Sequence, residues 1–252
     1  MFAQQCNEDI SYEKILAPEE GFVEADTRFL AQPDAIGCNV TMPFKLDAYH
    51  LAQVDDQAAK DAKAVNTLMN HEDGTIKGFN TDGVGLVNDL LNNGVALKNK
   101  RVLLIGAGGA ARGVISPLLE AGGASLIMTN RTIARAEQVA NETNHTRLSV
   151  VSLDNIASVK PHVIINSTAA SLHNELPCRM DAKVLEDCEV VYDMVYKNSP
   201  TLFMREAKAR GVNQCLDGLG MLVEQAASAF QIWTGKTPQT KTVVSELRAI
   251  VS

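Results

Sequence analysis

The sequence predicts an α/β protein built in two parts, and three observations carry that expectation. Short apolar runs alternate with amphipathic stretches along nearly the whole chain. From residue 101 onward those runs are continuous rather than alternating, as in a parallel sheet covered on both faces. One of them, RVLLI at 101–105, leads straight into a glycine-rich turn and then a helix. The division is an α/β first part, a second part of dinucleotide-binding type, and C-terminal helices returning to the first.

The elements follow in order. MFAQQ at 1–5 reads as the inside or tail of a helix, with no capping residue before it. Residues 10–17 (ISYEKILA) read as a strand, and 18–32 as a helix with Phe22, Val23, Phe29 and Leu30 at helical intervals. Residues 35–42 (AIGCNVTM) form a second strand, stopped by Pro43. Helices are expected over 44–52 and 55–63, and strands over 64–69 and 75–79 around the turn Asp73-Gly74. Strands separated by helices imply parallel pairing, with room for an antiparallel edge. Then TDGVGLVNDLLNNG is an amphipathic helix with Val84, Val87, Leu90 and Leu91 on one side, ended by Gly94. Two strand–helix pairs follow, then the strands LSVVSL, HVIINST and CEVVYDMVY. After Leu216-Asp217-Gly218 two helices close the chain, GMLVEQAASAFQIW and KTVVSELRAIV; Leu222, Phe230 and Trp233 read as core.

Composition narrows the function. With 46% hydrophobic and 21% charged residues the chain can bury a core, so disorder is excluded. Its 23 Lys+Arg against 30 Asp+Glu give a net charge of −7. That disfavours nucleic acid or an anionic membrane as a partner of the whole surface. MFAQQCNEDI has no basic region followed by an apolar run, so no secretory leader is expected, and no apolar segment is long enough to span a bilayer. Cys6, Cys38, Cys178, Cys188 and Cys215 are scattered, with no C-x-x-C pair. Neither disulfides nor a metal site is expected, and a cytoplasmic location fits.

The turn Gly106-Ala107-Gly108-Gly109-Ala110-Ala111 has the pattern G-x-G-x-x-A between a strand and a helix. Gly106 permits the tight turn, Gly108 lets a pyrophosphate approach the backbone, and Ala111 allows close helix packing. The end of the next strand tests cofactor choice. An NAD site usually places a carboxylate there for the ribose hydroxyls, whereas this strand ends in Asn130-Arg131-Thr132, with Arg135 a turn further on. Arginines suit a 2′-phosphate, so NADP(H) is expected rather than NAD(H). Pairing of Arg135 with Glu137, or simple exposure to solvent, is the local alternative.

Three polar motifs precede that loop: Asn39-Val40-Thr41-Met42-Pro43-Phe44-Lys45, Val65-Asn66-Thr67 and Gly78-Phe79-Asn80-Thr81-Asp82-Gly83. Each falls at the C-terminal end of an expected strand, where open α/β sheets bind ligands. Any one alone reads as turn chemistry.

NVTMPFK, AVNTL, GFNTDGVG, GAGGAARG, NRTIAR, YDMVY and DGLGMLVEQAA occur here in the order found in shikimate dehydrogenases, and the chain resembles that family over essentially its whole length. The resemblance implies reduction of 3-dehydroshikimate to shikimate with NADPH, in aromatic amino-acid biosynthesis. It implies a substrate domain of residues 1–81 plus 218–252 and a Rossmann-type NADP-binding domain of residues 82–217. Lys45 matches the family's catalytic lysine and Asp82 its neighbouring aspartate. Thr41, Asn66, Asp82, Tyr196 and Gln225 match substrate contacts. Gly106, Ala107, Gly108, Gly109, Ala110, Asn130, Arg131, Thr132 and Arg135 match the cofactor loops, with Met194 and Gly218 beside the nicotinamide. No metal is implied, and the enzyme is expected as a monomer or homodimer. A quinate/shikimate dehydrogenase paralogue and a chain that binds NADP with impaired catalysis are the alternatives.

Two departures accompany the resemblance. Family members begin earlier, with a strand and a Ser-x-Ser loop that holds the substrate carboxylate, whereas the first residues here match the helix after that loop. The expectation is an unpaired sheet edge, weak shikimate binding and lower stability of the first part. Asn166-Ser167-Thr168-Ala169-Ala170-Ser171 also replaces the family's Asn-Ala-Thr-Ser and a following glycine.

Overall fold

The computed structural model describes residues 1–18 and 20–251; Glu19, inside the helix expected over 18–32, and Ser252 lie outside them. The first part carries α1 (Phe2–Cys6), α2 (Phe22–Leu30), β1 (Gly37–Asn39), α3 (Lys45–Leu51), α4 (Gln57–Ala62), β2 (Thr67–Asn70) and β3 (Ile76–Phe79). Its three strands run β1-β2-β3, antiparallel throughout. The parallel pairing expected for this region is therefore wrong. The helices α3 and α4 separate β1 from β2 in sequence, but the chain comes back along the sheet instead of crossing over to the same direction.

Residues 10–17 also fail to form the expected strand. They carry no regular secondary structure, and no residue of the segment joins a ladder. Apolar content favours a strand only where a neighbouring backbone accepts its hydrogen bonds. Leu16 stays 96% exposed, and the segment instead rims a cavity of about 370 Å³ along the outer edge of β1. Tyr12 anchors it there through a hydrogen bond from its hydroxyl to Asn39 Oδ1 (2.8 Å).

The second part agrees with expectation more closely. α5 (Asp82–Asn92) leads to β4 (Arg101–Ile105), α6 (Gly109–Glu120), β5 (Ser125–Thr129), α7 (Ile133–Thr143), β6 (Leu148–Val150), β7 (Val163–Asn166), β8 (Val190–Asp193), α8 (Leu202–Ala209) and β9 (Gln214–Asp217). Six parallel strands run in the order β6-β5-β4-β7-β8-β9. The order reverses between β4 and β7, so the crevice above the carboxyl ends of those strands is the natural ligand site. Two apolar clusters cover the two sheet faces, one around Leu86, Leu104 and Val114, the other around Ile105, Ile164 and Phe203. Neither α8 nor β9 is among the elements expected from the sequence.

α9 (Leu219–Thr234) and α10 (Thr240–Val251) close the chain. α5 and α9 cross closely because glycines face bulkier groups at two points. A Cβ on Gly85 would sit 2.8 Å from Gln225, and one on Gly220 would strike the Asp89 carboxylate. Arg248 of α10 donates to both Asp217 oxygens, at 2.7 and 2.5 Å, and pins the last helix beside the start of α9. α1 packs on these helices, with the Phe2 and Phe230 rings 5.9 Å apart. Phe230 is buried and Trp233 donates to the Leu68 carbonyl at 2.9 Å, but Leu222, expected in the core, is exposed. Among the described residues no helix is long and apolar enough to cross a membrane.

Candidate active site

The antiparallel sheet explains how three separated motifs meet. Asn39 pairs with Thr67, and Thr67 with Phe79. The ends of β1 and β3 therefore lie beside the start of β2. Val65-Asn66-Thr67 is thus at the amino end of its strand, contrary to the sequence reading, and strand direction brings it to the same edge. The Val65 N–H donates to the Lys45 carbonyl (2.9 Å), which ties the start of α3 to this edge.

Lys45 opens α3, where the positive end of the helix dipole opposes an ammonium. Asp82 opens α5, where the dipole favours a carboxylate. The two meet: Lys45 Nζ lies 2.6 Å from Asp82 Oδ2, with side chains 26% and 14% exposed. Asn66 holds the other carboxylate oxygen, donating from Nδ2 to Asp82 Oδ1 at 2.9 Å. Its own Oδ1 accepts from the Thr81 N–H and the Thr67 hydroxyl, both at 2.9 Å. Those bonds fix the direction of the Asn66 amide, so its NH₂ faces Asp82. Gln225 enters from α9, its Oε1 3.4 Å from both Asn66 Nδ2 and Thr81 Oγ1. The result is a partly open ammonium–carboxylate pair backed by buried amides and hydroxyls, able to donate a proton and to bind hydroxyls.

Lys45, Asn66, Asp82 and Gln225 are thus joined directly. Thr41 is exposed at the rim, and Tyr196 is exposed after β8; neither side chain bonds to the cluster. The geometry adds Asn39, Thr67 and Thr81, which lie within the three polar motifs but have no individual role from the sequence. Asn39 Nδ2 donates to the Thr67 hydroxyl at 3.1 Å and extends the network to the hydroxyl of Tyr12. Asn and Thr within NVT, VNT and NTD were the available signal, hidden by their ordinary use in turns.

The residues assigned to cofactor binding stand along one edge of the larger sheet. Gly106 follows β4, Asn130 follows β5, Met194 follows β8 and Gly218 follows β9. Gly106 has φ +122°, and a Cβ there would strike Ser167 Oγ. Ser167 itself donates to the Ile105 carbonyl at 2.8 Å, so the residue that departs from the family pattern braces the glycine turn. In front of α6, a Cβ on Gly108 or Gly109 would meet nothing within 4 Å. Exposed helix N–H groups facing open space suit a phosphate. Asn130 Nδ2 donates to the Thr132 carbonyl at 2.9 Å and shapes the turn that carries Arg131. Arg131 and Arg135 are exposed and, alone among arginines of the described residues, their side chains form no hydrogen bond or ion pair. Arg135 does not pair with Glu137 and faces solvent, as the other half of the local alternative expects. Residues and open space together fit a phosphorylated dinucleotide.

Asp193 was also missed. It is fully buried between β7 and α8 and accepts from Ser171 Oγ (2.5 Å), Thr201 Oγ1 (2.7 Å), Asn166 Nδ2 (3.0 Å) and the Val195 N–H (3.2 Å). Burial raises its pKa and the four donors oppose that shift. It ties the 166–171 loop to the segment carrying Met194, whose carbonyl in turn lies against Gly218.

Comparison with known proteins shows the family. Residues 1–68 match the family model for the shikimate dehydrogenase substrate binding domain, 88–186 that for shikimate / quinate 5-dehydrogenase, and 218–248 that for the shikimate 5′-dehydrogenase C-terminal domain. A shikimate dehydrogenase (NADP(+)) from Alteromonas mediterranea is 68% identical over 251 residues, covering 100% of this chain and 90% of that protein. Another from Thioalkalivibrio sulfidiphilus is 46% identical over 99% of this chain and 92% of its own length. Among solved structures, an Ael1 enzyme from Pseudomonas putida superposes with a TM-score of 0.91 at 39% identity, over 98% of this chain and 90% of that one. The shikimate 5-dehydrogenase of Thermus thermophilus, solved with NADP(H) and shikimate, gives 0.84 at 31% identity, over 98% and 91%.

Proposed function

The chain belongs to the shikimate dehydrogenase family, and from that premise we propose that it reversibly reduces 3-dehydroshikimate to shikimate with NADPH, Lys45 serving as acid and base. When bound, the dinucleotide supplies the hydride in one direction and takes it in the other. As hydride reaches the ketone carbon, negative charge develops on its oxygen, and the Lys45 ammonium gives that oxygen a proton. In the reverse direction the neutral amine removes the proton from the hydroxyl. Asp82 accepts a hydrogen bond from Lys45 and so aims the ammonium; Asn66 keeps the carboxylate turned toward it. Asp82, Thr41, Asn66, Tyr196 and Gln225 contact substrate hydroxyls and carboxylate. Gly106, Ala107, Gly108, Gly109 and Ala110 hold the pyrophosphate. Asn130, Arg131, Thr132 and Arg135 hold the 2′-phosphate, and Met194 with Gly218 flanks the nicotinamide.

The smaller sheet lies within residues 1–81 and the larger within 82–217, which supports a substrate domain of 1–81 plus 218–252 and a cofactor domain of 82–217. The five unpaired thiols suit a cytoplasmic enzyme, acting as a monomer or homodimer. The Lys45–Asp82 pair, 2.6 Å apart and backed by Asn66, carries the reading. Lys45→Ala is expected to abolish nearly all turnover while NADPH binding, followed by fluorescence, persists. Near-normal kcat in that variant overturns it.

A further inference from the structure

One contact between the dinucleotide helix and the catalytic edge involves none of the residues given a role above. It is centred on Asn80. This side chain is 5% exposed and both ends of its amide are committed. Nδ2 donates to the Ala64 carbonyl at 3.0 Å, two residues before Asn66, and Oδ1 accepts the Asp82 N–H at 3.0 Å. The Asn80 N–H donates to Asp56 Oδ2 (3.0 Å), which also caps α4 through the Ala59 N–H (2.9 Å). Asn80 therefore sets the backbone on both sides of the catalytic pair.

The same amide rests on α6. A Cβ placed on Gly113 would lie 3.3 Å from Asn80 Nδ2, tighter than most such contacts, and 3.5 Å from Oδ1, an ordinary one. Next to it, a Cβ on Gly83 would strike the Gly113 carbonyl. Pro117, one turn on, lacks the N–H that would otherwise engage that carbonyl within the helix. Gly113 lies one turn from Gly109, where α6 begins at the phosphate loop. A glycine on one side and a doubly bonded amide on the other leave no flexible side chain to absorb movement.

We propose that Asn80 is a positioning residue that couples occupancy of the dinucleotide loop to the Lys45–Asp82 pair through its seat on Gly113; this rests on that pair being the catalytic one. A displacement of α6 by bound dinucleotide presses on Asn80 and is passed to Asp82 and to the strand that follows Asn66. Shikimate then binds better when the dinucleotide is present. Because coupling is reciprocal, it appears in the ternary complex and not in either binary affinity.

The test is calorimetric titration of shikimate with and without saturating NADP⁺, on the unaltered protein, Gly113→Ala and Asn80→Ala. In the unaltered protein NADP⁺ should tighten shikimate on the order of five-fold or more, the lower end of ordinary coupling. Both variants should bring that ratio close to one, and Gly113→Ala should keep the binary NADP⁺ affinity and the melting temperature. Should Asn80→Ala fail to fold, Gly113→Ala carries the test alone, since alanine is the better helix former. Steady-state kinetics of Gly113→Ala should show lower kcat at unchanged KM for NADPH, a split that a general loss of structure would not give. A ratio near one in the unaltered protein, or an undiminished ratio in Gly113→Ala, overturns the coupling and leaves the activity standing. If shikimate binds in neither state, the proposed function fails and the coupling with it.

Discussion

Replacement of Asp82 by asparagine probes the site with the smallest change of shape. Both carboxylate oxygens accept hydrogen bonds, Oδ2 from the Lys45 ammonium at 2.6 Å and Oδ1 from the Asn66 amide at 2.9 Å. An asparagine must turn its NH₂ toward one of these donors. Asn66 cannot reverse to accept it, because its own oxygen already serves the Thr81 N–H and the Thr67 hydroxyl. Whichever way the new amide turns, one bond becomes a donor–donor contact and the ammonium loses its counter-charge. A hydrogen bond to a charged group is worth about 1.5–3 kcal/mol. The side chains are 26% and 14% exposed, so solvent screening places the loss in the lower half of that range, about 1.5–2 kcal/mol. At 1.36 kcal/mol per factor of ten, kcat/KM for 3-dehydroshikimate should fall about 10- to 30-fold.

The assay is initial-rate NADPH consumption at varied 3-dehydroshikimate, with NADPH affinity measured separately by fluorescence. The loss should appear in kcat/KM for the ketone while NADPH affinity holds. A fall of less than about three-fold, below what one such bond supplies, or a loss confined to NADPH affinity, refutes the reasoning that Asp82 aims Lys45.

The remaining predictions concern the cofactor edge and the scaffold. Arg131→Ala should raise the KM for NADP⁺ on the order of ten-fold, one charge-assisted hydrogen bond, and leave that for NAD⁺ alone; an unchanged NADP⁺ KM removes Arg131 from the site. Tyr192→Phe deletes the buried bond from the tyrosine hydroxyl to Asp89 Oδ2 (2.6 Å). About 2 kcal/mol is lost, and the melting temperature should drop by about 4–8 °C in a calorimetric scan; no drop would mean Asp89 finds another donor. Arg112 and Gln138 hold the Glu142 carboxyl down at about 2, below its ordinary 4.5. A depressed acid contributes stability that is present above pH 4.5 and lost as pH falls through about 2. Glu142→Gln should therefore melt lower than the unaltered protein at neutral pH, and the gap should shrink below about pH 4.5 and close only as the buffer reaches about pH 2. A gap that stays constant with pH excludes this account.

The larger sheet was legible because its signals are local. A strand buried on both faces is apolar throughout, and the glycine turn needs only its own residues to be recognised. β9, with the half-buried sequence Gln214–Asp217, lacks such a run and went unread, as did the short α8 before it. In the smaller sheet the deciding facts are non-local. Nothing within Ala64-Val65-Asn66-Thr67 says whether it begins or ends a strand; the pairing of Thr67 with both Asn39 and Phe79 decides it. Residues 10–17 have strand composition, but a ladder partner is a property of the whole fold. The site residues divide likewise. Lys45 and Asp82 stand out once the family pattern is seen. Asn80 and Asp193 do not, since an Asn or Asp beside a turn is ordinary and only burial with several bonds reveals its work.

Burial and bonding also bear on how a chain of net charge −7 can serve two anions. A uniformly basic surface is one solution, and this protein does not have it. Its other arginines are engaged, Arg101 with Asp187, Arg112 with Glu142, Arg248 with Asp217, and Arg147 with the carbonyls of Leu119 and Gly123. Each such partner cancels or absorbs the guanidinium as a ligand for phosphate. Among the arginines of the described residues, Arg131 and Arg135 alone are left uncommitted, just past the end of β5 and in the first turn of α7. In the proposed site an incoming 2′-phosphate would therefore find full charge without displacing a carboxylate, and the desolvation it costs would not be added to the breaking of an existing pair. On the substrate side Lys45, the proton donor proposed above, is partly exposed and does have a partner; an ammonium that is to donate a proton has to be aimed as well as charged. Acidity elsewhere on the surface then acts as selection by position: anions are repelled broadly and held only where a cation and open helix amides converge.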